Sequence, residues 1–118
     1  MIRSRLVRRS VLAGVLAVLV LPPSVSAGQE AGSVAPARVR IVDFAFRPAT
    51  VNITVGTAVG WRNFGSAPHT STSDTGVWDS GVLTTGDVFG RRFQSPGVFQ
   101  YHCSIHPFMT GQVVVSSG

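Results

Sequence analysis

Lysine is missing altogether from the 118 residues, cysteine occurs once, and only five residues are acidic. Each shortage closes a class of function. A single cysteine, Cys103, allows no intrachain disulfide framework, no CxxC redox pair and no cysteine-rich zinc knuckle. The apolar run at 11–21 is 11 residues long, about half of the roughly 20 that a spanning helix needs. Without lysine all ten cations are arginines, and four of them (Arg3, Arg5, Arg8, Arg9) precede every acid. Beyond residue 27, six arginines face Glu30, Asp43, Asp74, Asp79 and Asp87, a formal charge of +1. The pI near 11.4 therefore belongs mainly to the N-terminal segment. So small a net charge gives the rest of the chain no strong field to steer a polyanion, which argues against a nucleic-acid binder. The length suits one small domain and not two.

Residues 1–27 have the makings of an export signal: a basic start, the apolar run, Pro22-Pro23, then the small residues Ser24-Val25-Ser26-Ala27. Cleavage is expected after Ala27; retention would leave a membrane anchor. Arg8-Arg9-Ser10-Val11-Leu12 resembles a twin-arginine signal, although paired arginines also occur in ordinary Sec signals. Either route delivers the protein to the periplasm or the medium.

Residues 28–36, small and polar, read as a flexible leader. From residue 37 to 118 the chain consists of short β-type runs between turn residues. Val39, Ile41 and Phe44-Ala45-Phe46 make the first. Val51, Ile53 and Val55 alternate with Asn52 and Thr54 in the second. Runs at 58–64, 87–93, 98–103 and 112–115 follow, with a less regular stretch at 77–83. No window shows a 3.6-residue apolar period, so the pattern predicts an all-β sandwich or barrel. Trp61, Trp78, Tyr101 and seven phenylalanines supply its core.

The chemistry concentrates in Tyr101-His102-Cys103-Ser104-Ile105-His106-Pro107-Phe108-Met109. Cys103, His106 and Met109 stand three residues apart each time, and His69 lies in the loop Pro68-His69-Thr70. One thiolate, two imidazoles and a thioether are the donors of a blue-copper centre, in which soft sulfur suits Cu(I) and imidazole serves both oxidation states. Three ligands on one tight loop need only a fourth from a neighbouring loop to close the shell. His102 precedes Cys103 in an extended strand and should point to the opposite face.

This pattern resembles the cupredoxin family, and C-x2-H-x2-M with Pro-Phe before the methionine is most similar to its amicyanin-like branch. Asp43-Phe44-Ala45-Phe46-Arg47-Pro48, Val59-Gly60-Trp61-Arg62-Asn63, Asp79-Ser80-Gly81, Gly97-Val98-Phe99 and Gly111-Gln112-Val113 follow the family's motifs in order. The resemblance implies a cupredoxin-like Greek-key β-sandwich of seven to eight strands, with one copper ion on His69, Cys103, His106 and Met109. It also implies a monomeric one-electron carrier, not an enzyme. Such a carrier meets a donor dehydrogenase or oxidoreductase, and an acceptor such as a c-type cytochrome; the apolar Ile105, Pro107 and Phe108 around His106, with Ala67-Pro68 before His69, predict the patch through which it does so. Two positions depart from the branch. Thr70 stands where asparagine usually ties the two ligand loops together, its backbone N–H still able to reach the Cys103 sulfur, and Ile105 where the loop has proline.

Other readings explain less. Copper storage or delivery would use the same four ligands. A thiol enzyme with Cys103 as nucleophile and His69 or His106 as base lacks a third orienting group and leaves Met109 without a role. A metal-free adhesive sandwich, with Cys103 as a small buried hydrophobe, leaves the ligand pattern unexplained. Arg91-Arg92 forms a minor surface patch, a secondary candidate for docking.

Overall fold

The computed structural model describes residues 35–118, so residues 1–27, read above as an export signal, and all of the expected leader but its last two residues lie outside the described part. Eight strands form two four-stranded sheets, and no helix occurs among the described residues. The first sheet has the order β2 (Ala45–Arg47), β1 (Ala37–Val42), β4 (Ala58–Asn63), β6 (Val88–Arg92). The second has the order β3 (Thr50–Thr54), β8 (Thr110–Ser116), β7 (Gly97–His102), β5 (Thr72–Ser73). The pairs β1–β4 and β3–β8 are parallel and the rest antiparallel. This is the expected cupredoxin-like Greek-key sandwich.

Period-two alternation decides which side chains meet between the sheets. Val39, Ile41, Phe46, Val59 and Trp61 point inward from the first sheet. Val51, Ile53, Tyr101, Val113 and Val115 do so from the second. Tyr101 packs edge-on against Phe46, ring centroids 4.7 Å apart, and against Trp61 at 5.5 Å. Its ring also lies over the backbone of its cross-strand partner Gly111, where an added Cβ would come within 2.6 Å of Cζ. Only glycine leaves that space. Burial pushes the Tyr101 phenol up to about 12, and neither its hydroxyl nor the Trp61 indole N–H has a hydrogen-bond partner.

Three details differ from the sequence reading. The first apolar run is two strands, because the chain turns at Asp43-Phe44 and runs back as β2. The stretch 77–83 forms only isolated bridges, His69–Leu83 and Thr72–Asp79. The short edge strand β5 has no apolar pattern to announce it.

Candidate metal centre

Three connections meet at one end of the sandwich: the β1–β2 turn, the β4–β5 loop with His69, and the β7–β8 loop with Cys103, His106 and Met109. The fully buried Asn63 shapes the His69 loop. Its amide donates to the carbonyls of Ala67 (2.9 Å) and Leu83 (2.8 Å), and its Oδ1 accepts from the Gly65 N–H (2.7 Å). His69 and Leu83 exchange backbone hydrogen bonds of 3.1 and 2.7 Å. The β7–β8 loop closes on itself: Cys103 N–H donates to the Met109 carbonyl (3.1 Å), and Met109 N–H to the His106 carbonyl (2.9 Å).

These restraints aim three donor atoms at one point. Cys103 Sγ lies 3.9 Å from His69 Nδ1 and 3.8 Å from His106 Nδ1, and the two nitrogens are 3.2 Å apart. One ion could touch all three. His69 and Cys103 are fully buried, Met109 is buried beside them, and His106 keeps partial exposure. His102 faces away, and its Nδ1 pairs with Asp74 Oδ1 at 2.6 Å.

Two side-chain contacts around the donors were not foreseen. His69 Nε2 donates to Asp43 Oδ1 at 2.7 Å, which fixes the tautomer and leaves Nδ1 free to face the other donors. Asp43 also accepts from the Ser66 N–H (2.9 Å) and the Ala67 N–H (3.1 Å). The His69 hydrogen bond, then the Ser66 N–H, hold its carboxyl below the ordinary value of 3.8. Gly65 leaves room for this carboxylate, since a Cβ there would overlap it. The sequence signal was available: Asp43 follows Val39 and Ile41 at an alternating position where a third apolar residue would be expected.

The second contact corrects the expectation about Thr70. Its backbone N–H donates to Cys103 Sγ at 3.3 Å, as expected, and its hydroxyl, which was not expected to act, accepts from the Ser104 N–H at 2.8 Å. The same hydroxyl meets Ser104 Oγ at 3.1 Å and Thr72 Oγ1 at 2.8 Å. Threonine therefore ties the two ligand loops together without asparagine. Ile105, the other departure, is exposed on the loop surface.

An exposed apolar cap covers this end. Phe44 sits edge-on to His106 with centroids 5.0 Å apart, and Phe108 lies 6.1 Å from His106 and 6.2 Å from Phe44. Phe44 is 49% exposed and Phe108 70%. Phe108 was expected here, whereas Phe44 was counted with a strand and the core and is instead exposed.

A β-sandwich that converges one thiolate and two imidazoles, with a methionine at the base of the same loop, defines a mononuclear copper protein of the type 1 class. The cupredoxin-like domain family matches residues 11–115. Amicyanin-alpha of Methylorubrum extorquens is 32% identical over 117 residues, covering 92% of this chain and 98% of that protein. A purple cupredoxin from Nitrosopumilus maritimus superposes with a TM-score of 0.64 at 35% identity, over 68% of this chain and 99% of that one. The Cu(I) structure of an amicyanin mutant, a methionine-to-alanine variant, gives 0.65 at 27% identity, over 69% and 82%. The chain belongs to the cupredoxin-like family and is amicyanin-like within it, and copper is the cofactor that this family and these donors define.

Proposed function

We propose that the protein is an extracytoplasmic one-electron carrier that holds a single copper ion on His69, Cys103, His106 and Met109. The convergence of Cys103 Sγ with the two Nδ1 atoms, all within 4.8 Å of one another, carries this reading. Bound copper would supply the Cu(I)/Cu(II) couple. The chain's own contribution is to hold the donors still. Asp43 orients the His69 ring, Thr70 N–H supports the Cys103 sulfur, and the Thr70 hydroxyl locks the two loops. A carrier needs this rigidity, because groups that do not move add little reorganisation to each electron transfer.

His106, partly exposed between Phe44 and Phe108, is the contact point for partners. Small apolar patches suit the brief encounters of electron-transfer proteins. The amicyanin-like relatives favour a dehydrogenase as donor and a c-type cytochrome as acceptor. The pattern of residues 1–27 supports export, with cleavage after Ala27.

Electron self-exchange, measured by NMR line broadening in mixtures of reduced and oxidised protein, tests the reading. The parent should exchange fast and with mild salt dependence, since residues 101–111 carry no formal charge with histidine neutral. Phe108→Asp should slow exchange by about tenfold or more while preserving the visible spectrum. An unchanged rate would place the contact elsewhere.

A further inference from the structure

The formal charge of +1 beyond residue 27 conceals a concentration of cations that appears only once the strands are paired. Arg40 on β1 lies opposite Arg47 on β2 and opposite Arg62 on β4, all pointing away from the core. Arg38 joins them two residues along β1. Like charges directly opposite on one sheet face cost stability. Among the described residues no carboxylate forms an ion pair with any of these arginines. What they have is Phe64, whose ring carries the Arg40 guanidinium at 3.9 Å and that of Arg62 at 5.0 Å. The row borders a hollow of about 400 Å³ floored by Gly60 and flanked by Pro48 and Val88; an added Cβ on Gly60 would meet nothing within 4 Å.

We propose that this outer face of β2, β1 and β4 is a docking surface for an acidic patch on a protein partner. Three strands at about 4.8 Å spacing place the row of guanidinia across roughly 10 Å. That width matches a cluster of surface carboxylates, which guanidinium forks grip in pairs. A second copy of this chain is a poor occupant, because its aspartates are dispersed and engaged locally. Asp43 binds His69, Asp74 binds His102, Asp79 binds Gly81 N–H, and Asp87 binds Thr84. Nucleic acid fits less well, since the guanidinia of Arg40 and Arg62 occupy the exposed Phe64 ring that a base would stack on. Arg91 does not extend the patch, since it lies 4.7 Å over Phe93, whereas Arg92, exposed at the far end of β6 on the same face, is held to the Gly56 carbonyl.

The test uses the whole exported chain in its reduced, copper-loaded form and three probes: an oligoglutamate peptide, an oligothymidylate of equal charge, and phosphatidylglycerol vesicles. Titration with oligoglutamate should shift the NMR signals of Arg38, Arg40, Arg47, Arg62 and Phe64, and added salt should weaken it. The double variant Arg40→Gln, Arg62→Gln should bind about tenfold or more weakly with unchanged visible spectrum. The single variant Arg47→Gln, at the sheet edge, repeats the test should the double variant fold poorly. Absence of peptide shifts on this face would overturn the proposal, as would tighter binding of the oligothymidylate or the vesicles. The readout concerns the arginine face alone, so a protein that failed to cycle copper would leave it standing.

Discussion

The Asp43 carboxylate accepts a 2.7 Å hydrogen bond from Nε2 of His69, on the ring edge opposite the Nδ1 that would hold copper. A carboxylate behind a ligating imidazole makes the ring a stronger donor and favours the more highly charged metal state. Asp43→Asn keeps the size and an acceptor oxygen but removes the charge. Its reduction potential should rise by roughly tens of millivolts, while the visible band persists. Protein-film voltammetry would measure the shift, and an unchanged potential would reduce Asp43 to a structural turn residue. Gly65→Ala should act in the same direction, because the added methyl displaces the carboxylate.

Thr70 links the two ligand loops through one buried hydroxyl. Thr70→Val keeps the shape and strands the Ser104 N–H, so it should cost about 1–3 kcal/mol in urea unfolding of the copper-free protein. The thiolate band should survive, since the backbone N–H to Cys103 Sγ is retained. Thr70→Asn should restore most of the stability. If Thr70→Val unfolded like the parent, the loops would be held by something other than this hydroxyl.

Acid sensitivity follows from Asp87 as well as from Asp43. The backbone N–H of Thr84, and then its hydroxyl, hold the Asp87 carboxyl below its ordinary value of 3.8. A carboxyl depressed in the folded state stabilises the fold above its unfolded value, and that contribution disappears as pH falls through the folded value. The melting temperature of the copper-free protein should be level above about pH 5 and decline below about 4. Asp87→Asn should make that decline shallower, with Asp43 carrying the rest; an equally steep one would assign the acid sensitivity to Asp43 and other carboxyls alone.

Much of the site was legible because its chemistry is local. Cys103, His106 and Met109 share one loop, and no other residue set in the chain explains a thiol, an imidazole and a thioether at equal spacing. The strict alternation from Val51 to Val55 announced β3 equally plainly. What escaped depends on pairing between distant strands. Asp43 and His69 meet only after β1 turns into β2 beside the loop that follows β4. The arginine row needs β1 to lie in register between β2 and β4, and a summed net charge discards the face each charge occupies. The Thr70 tie escaped because its partner, Ser104, lies 34 residues away on the other ligand loop.

The visible absorption of the copper-loaded protein, compared with its Cys103→Ser variant, tests the central claim most directly. A thiolate bound to Cu(II) gives an intense charge-transfer band, and serine offers no soft anionic sulfur to replace it. The parent should show that band, and a Cys103→Ser variant that still folds should lose it. A parent with only the weak absorption of copper bound by nitrogen and oxygen, or a variant that kept the band, would contradict the assignment of Cys103 as a copper ligand.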